Sequence, residues 1–547
     1  MGYYLSPMVT VKETDLTTIV PAVATDTGAM VGRFTWGPAE EIVVIDTENN
    51  LRGTFGDPTD ANFTDWFVAA DFLSYSRNLK TVRVVGTGAL NATIERDSNN
   101  HGVGGVGTLV KNQDAYENAV FTNQVFLAKF PGAYGNNIGI AWANSSTYNA
   151  VDSNGEYTWL FHDSFSSAPG TNEFNIVIYD ATGSITGTAN TILERFPLVS
   201  SVPGTKKYDG TSNYIPDVLN NGSDWVYVGD FSDFLLLTVD LDGVTFAGGS
   251  NGAAPSAGEV QTCYALFQDV ENVDVSLIMA AGHPRAVGKW IIDNVAEVRR
   301  DLVVFVSPEQ ADVVGVASQD TILDNILDCR TFYGSSSYAV MDSTWKYRYD
   351  RYNDKYRWVP LNGDIAGLCA RTDFTNDPWW SPAGLNRGNI KNVIKLAWSP
   401  SVTFRDELYN NGVNPVVNFK NQGVVLWGDK TLLTRPSAFD RINVRRLFIV
   451  LEKAIATAAK FMLFELNDEF TRAQFVNMVE PYLRDVQGRR GITDFKVVAD
   501  ESNNTGEVID RNEFVGDIYI KPTRSINYIT LNFIAVRTAV SFEEVGG

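Results

Sequence analysis

Between residues 437 and 469 apolar side chains recur at three- and four-residue steps: Val444, Leu447, Leu451, Ile455, Ala458 and Met462. That spacing predicts one amphipathic helix along the whole segment. A second helix is expected over EFTRAQFVNMVEPYLRDVQ, with Asp468 and Glu469 as start residues that suit the helix dipole and Gly488 as its cap. Three strand-like runs come next, DFKVVAD, EFVGDIYIKP and SINYITLNFIAVRT, a set that leaves a sheet edge open.

Upstream the period changes repeatedly. Residues 1–20 read as an extended arm, with Val9 and Val11 alternating with polar neighbours. VGRFTWGP, EEIVVID and LKTVRVVG read as strands around a helix TDWFVAADFLSYS capped by Thr64 or Asp65. Helical patterns (AGEVQTCYALFQDV, PRAVGKWIIDNVAEVRR, TILDNILDCR) alternate with strands (VDVSLIMAAG, DLVVFVSP) over 258–400, which implies a sheet covered by helices. Residues 88–254 differ, with short apolar runs such as EFNIVIYD among many Gly, Asn, Ser and Thr. The expected fold class is α/β and α+β, multidomain. Its parts are an N-terminal arm (1–20), a mixed α/β core domain (21–87 and 255–400), a β-rich outer insertion (88–254) and a small C-terminal α+β domain (401–547) ending in a second arm.

Net charge is −21 over 547 residues. Residues 430–547 hold 16 basic and 16 acidic side chains, whereas 88–254 hold 6 and 17. So acidic a bulk argues against general nucleic-acid binding, where phosphate contacts dominate. Within it, Arg446, Lys453 and Lys460 lie seven apart on the expected long helix, with Arg441 and Arg445 near its start. By pattern alone they read as a solvated face sooner than as a basic stripe aimed at an anionic partner.

Chemistry for catalysis is missing. Three cysteines (263, 329, 369) and three histidines (101, 162, 283) are scattered, so neither a disulfide framework nor a zinc site is expected. No phosphate-binding loop, G-x-S-x-G or H-E-x-x-H occurs. The aromatic and basic run 343–360 reads as a hairpin turning near Asn353-Asp354, with Trp345, Tyr347 and Tyr349 on one face and Lys346 and Arg348 on the other. Its competing reading, a stacking surface for single-stranded nucleic acid, is opposed by Asp350 and Asp354. No apolar run reaches the ~20 residues of a membrane span, and no secretion signal opens the chain, so a protein made in a cytoplasm is expected.

The segment RWVPLNGDIAGLCARTDFTNDPWWSPAGLNRGNI (357–390) resembles the tail sheath proteins of contractile-tailed bacteriophages, especially those of T-even-like myoviruses. NPVVNFKNQGVVLWGDKTL, DRINVRRLFIVLEKAI, DRNEFVGDIYIKPTRSINYITLNF and LSPMVTVKETD extend the resemblance over most of 1–87 and 258–547. The resemblance implies a structural virion protein, not an enzyme and without a cofactor. It would be assembled in the host cytoplasm into six-membered rings stacked around a tail tube. Contraction would drive the tube through the host envelope for genome ejection, powered by stored conformational energy. Implied partners are other copies of the chain, the tube protein, and baseplate and tail terminator proteins, with neither nucleic-acid contact nor membrane insertion. It further implies that the two arms add strands to a neighbour's small sheet, through candidates Val9, Val11, Ile529, Leu531 and Phe533. Arg441, Arg445, Arg446, Lys453 and Lys460 become tube-facing candidates. Two other readings stand beside this one: the sheath of a genome-free injection particle, and a hydrolase with a β-rich substrate domain.

Overall fold

The computed structural model describes residues 24–98, 101–232 and 243–527. They divide into two compact units: a large one, Ala22–Pro378 with Pro382–Ala454, and a small one whose described residues are Trp379–Ser381 and 455–527. The division falls at 454/455, inside a helix, and not at 401.

Seven strands form the main sheet of the large unit: β1 (Gly28–Gly32), β2 (Ile42–Ile45), β3 (Leu79–Arg83), β4 (Leu277–Met279), β5 (Val303–Val306), β6 (Ala339–Asp342) and β7 (Val413–Asn414). Their order is β2-β3-β1-β4-β5-β6-β7. Every pair is parallel except β2–β3 at the edge. β4, β5 and β6 are buried at every residue, as strands covered on both faces must be, and this is why they read as unbroken apolar runs. β1 ends earlier than VGRFTWGP suggested. The chain bends at 35–37, where Gly37 takes φ 95°, a conformation that a side chain strains.

Two helices pack tightly on this sheet, α1 (Phe63–Leu73) and α2 (Asn362–Thr375). Trp66, Phe67, Val68 and Phe72 are wholly buried in α1, each burial stabilising by roughly 1.5–3 kcal/mol. Asp65 is not the cap expected from sequence. It sits inside, accepting Arg33 Nε at 2.7 Å and the Gly282 amide at 3.2 Å. α2 is buried without a break from Asn362 to Ala370. Glycines let the helices approach: a Cβ at Gly363 would stand 2.6 Å from Val68 O, and one at Gly367 2.5 Å from the Tyr75 ring.

Residues 88–254 carry two four-stranded antiparallel sheets. The first contains Ile138–Ala143, Glu173–Asp180 and Thr191–Ser200; the second contains Thr93–Arg96, Gln124–Ala128 and Val226–Val228. Ile94, Phe126, Ile140, Trp142, Ile176 and Phe246 form a core of their own there. Arg83, fully buried at the end of β3, links the main sheet to this region. Its guanidinium donates to Phe34 O (2.9 Å), Thr35 O (3.2 Å), Gly37 O (2.7 Å) and, across the boundary, Pro131 O (2.6 Å). Burial pushes it down to about 9. Four carbonyl acceptors stand where a counter-ion would.

In the small unit a helix Glu469–Gly488 packs Phe475, Met478, Val479, Leu483 and Val486 inward. It lies against an antiparallel pair, Ile492–Val498 and Asp517–Pro522. Asp468 caps the helix by accepting the Thr471 amide at 2.8 Å, as expected. The third strand expected in this region falls largely outside the described residues, as do the arm candidates Val9, Val11, Ile529, Leu531 and Phe533.

Candidate functional site

The basic stripe starts on α3 (Ile442–Ala459), which ends well before residue 469 and passes into one 3-10 turn, Lys460–Met462. Its apolar face is the expected one, with Val444, Leu447, Leu451 and Ala458 each 1% exposed. The structure does not bring the five basic residues together as a row in water. Arg446 is 4% exposed, forms a two-pronged ion pair with Asp373 and donates to Thr25 O at 3.2 Å. Burial pushes the Asp373 carboxyl above its usual range, while Arg446 holds it down. Arg445, equally buried, lies 4.5 Å from the Tyr338 ring centre and 4.3 Å from that of Phe439. Arg441 pairs with Asp429 at 2.9 Å and Lys453 with Asp274. Lys460 alone of the five is exposed. The seven-residue spacing does set one face, but most of that face is turned against carboxylates far away in sequence, which a local pattern cannot reveal.

Past Lys460 the chain departs from the expected helix and turns apolar side chains outward. Phe461, Leu463, Phe464, Leu466 and Phe470 are 72%, 64%, 104%, 77% and 74% exposed. Phe464 adopts φ 72°, an outlier for so bulky a residue. The sequence does carry a signal here, the run Phe461-Met462-Leu463-Phe464, since four consecutive apolar residues cannot share one face of a helix. An exposed apolar stripe of this kind marks an interaction surface. Its carboxylates Glu465, Asp468 and Glu469 are exposed too.

The hairpin expected over 343–360 forms, with strands Trp345–Asp350 and Lys355–Pro360 in the register Tyr347↔Trp358 and Tyr349↔Tyr356. Its polarity is inverted relative to a simple surface hairpin. Lys346, on the inner face, is 0% exposed and sits between Asp71 (2.8 Å) and Asp364 (2.7 Å). Arg348 also pairs with Asp71 and lies 4.2 Å from the Phe67 ring centre. Burial raises Asp364 above the carboxylate range, opposed by Lys346. On the outer face, Tyr349 and Tyr356 are exposed beside half-buried Tyr347 and Trp358. The Lys395 ammonium lies 4.9 Å from the Tyr347 ring centre and 5.6 Å from that of Trp358.

Asp342, hydrogen-bonded by Ser307 Oγ at 2.5 Å, is raised to about 8 by burial but is sealed in the core. Burial pushes all three cysteine thiols up to about 12, so they stay protonated at neutral pH. His162 is stacked on Tyr157, His283 contacts Val31 O and His101 lies near Asp97, three separate places. Among the described residues no cluster of three or more His, Cys, Asp or Glu could hold a metal ion, and no helix is long and apolar enough to cross a membrane.

Two family descriptions match the chain: "Phage tail sheath protein central domain" over 262–432 and "Phage tail sheath C-terminal domain" over 434–535. The tail sheath protein of Vibrio phage KVP40 is 35% identical, covering 99% of this chain and 100% of that one. Those of Enterobacteria phage T4 (34%, 99% of each chain) and Salmonella phage ViI (33%, 100% and 98%) are similar throughout. The KVP40 alignment spans 674 positions against 547 residues here, so that relative carries segments without a counterpart in this chain. In fold, the chain is similar to a sheath tail protein from Desulfitobacterium hafniense (TM-score 0.55, 13% identity, 91% and 94% covered). It is also similar to the helical sheath of the anti-feeding prophage in its contracted state (TM-score 0.51, 14%, 97% and 99%). With end-to-end identity of this order to three tail sheath proteins, the chain belongs to the phage tail sheath family.

Proposed function

We propose that the chain is the subunit of a contractile phage tail sheath. It forms six-membered rings stacked helically around a tail tube, and contracts to drive that tube through the host envelope for genome ejection. The observation that carries this reading is the full-length identity with phage tail sheath proteins. The small unit supports it, because among its described residues the two-stranded pair keeps open edges that a neighbour's strand can extend. The segments 1–20 and 525–547 are the proposed exchanged strands, through Val9, Val11, Ile529, Leu531 and Phe533. Baseplate and terminator proteins would bound the stack at its two ends. Of the basic candidates for the tube, Lys460 is the one in water; Arg441, Arg445, Arg446 and Lys453 would act by fixing α3 in place.

Contraction draws on a metastable packing of the extended sheath and needs no nucleotide. Electron microscopy of the purified protein with its tube tests the assembly, and tubes of stacked rings are expected. A protein that stays monomeric at every concentration tried would refute it. ATP added to triggered tails should leave contraction unchanged, and a strict requirement for ATP would overturn the energetic reading. The three phage relatives favour a phage tail over a genome-free particle.

A further inference from the structure

Among the described residues two faces stand exposed, and their chemistry is complementary. The stripe 461–470 has an apolar centre of Phe464, Leu466 and Phe470, and the carboxylates Glu465, Asp468 and Glu469 stand in water around it. Its three phenylalanines and two leucines expose on the order of 600–700 Å², near one partner's ~800 Å² share of a standard interface. The outer face of the hairpin has an aromatic centre of Tyr347, Tyr349, Tyr356 and Trp358, with Lys395 over two of the rings and the exposed cations Arg351 and Lys355 at the turn end. Those last two are loosely held by Glu48 and Asp60, exposed pairs worth little in water.

We propose that the stripe of one copy docks on the hairpin face of the next copy. Stripe against stripe would bring six carboxylates together, whereas the hairpin face offers them the exposed Lys395 ammonium above its rings. Charge therefore selects the unlike pairing. A heterologous contact of this kind can propagate into rings or helices, as an assembly of many copies requires. The left-handed backbone of Phe464, which turns its ring fully outward, is strain that such an occupant compensates. The inference rests on self-assembly of the chain and supplies a contact for it that does not depend on strand exchange.

Site-directed cross-linking on the full chain tests it. All three native cysteines are buried, so thiols introduced by Phe464→Cys in one preparation and Tyr349→Cys in another are the reactive ones. Mixed under assembling conditions with a short bismaleimide, they should give a cross-linked dimer as the main product, whereas each preparation alone should give little. Lys395→Glu should reduce that band, and Glu465→Lys in the partner should restore it. Tubes that form from both variants without the mixed cross-link, or a band from Phe464→Cys copies alone, overturn the pairing while leaving the sheath assignment standing. Unsubstituted protein that never assembles overturns both.

Discussion

In the large unit Lys346 carries its ammonium to a place without solvent, whereas in the small unit Phe464 holds its ring wholly in water. Both reverse the usual distribution of side chains, for different reasons. Lys346 has its partners within the same chain, Asp71 and Asp364, brought together by the packing of α1 and α2 against the hairpin. Phe464 and its neighbours have none among the described residues of their own chain. Among the described residues the large unit thus pairs its reversed charge internally, whereas the small unit leaves its apolar stripe open. A reversed residue with internal partners reports on folding; one without reports on assembly.

The comparison breaks first at Lys346. Lys346→Met leaves Asp71 and Asp364 buried without an ammonium between them, and should lower stability by about 3–5 kcal/mol. Denaturant titration checks this, with the midpoint falling at an unchanged slope. Equal stability would mean the charges are hydrated, and the large unit less closed than its burial indicates.

The second test is pH. The Asp342 carboxyl holds its proton up to about 8 when folded, against a usual value of 3.8. Folding therefore takes up a proton between those values. The stabilisation is complete below pH 3.8 and is lost as pH rises through about 8. Between pH 5 and 7 the loss should be about 3 kcal/mol, and Asp342→Asn should abolish this part of the dependence. Thermal melts of both proteins at the two pH values decide it. Third, Gly367→Ala should cost about 1–3 kcal/mol, because its methyl would meet the Tyr75 ring.

The smallest effect is expected on the exposed apolar stripe. Leu466→Ser should alter the stability of the isolated chain by no more than about 0.5 kcal/mol. Phe464→Gly should be neutral or stabilising by up to about 1 kcal/mol, because glycine relaxes the positive φ. Leu466→Ser should reduce self-association in sedimentation. A large drop in the stability of the isolated chain would show that the stripe is part of the small unit's own core.

Sequence alone placed much of this. Glu173–Asp180 coincides with the run EFNIVIYD, and the hairpin turns where Asn353-Asp354 suggested. Alternation shows that a strand has two faces; it does not say which one is buried. At 345–360 the usual assumption fails because Asp71, 277 residues from Arg348, waits on the inner side. The same limit hid the fate of Arg446, whose partner Asp373 lies 73 residues away. The stripe was missed for a nearer reason: apolar spacing that continued through Met462 made a helix plausible past the point where α3 stops. The proposed exchange of arms rests on the alternation of Val9 and Val11 with polar neighbours and on family likeness.

The bonds of Arg83 have a mechanical consequence. Four carbonyls meet one rigid planar cation, so the links are loaded together and not in succession. Pulling the insertion away from the main sheet tears at Pro131 and, through the same guanidinium, at the bend 34–37. Such a rivet resists small displacements stiffly and gives way in one step. In the contraction proposed above, a fastening of this kind would let the insertion travel with the main sheet as cargo, without lagging on a hinge.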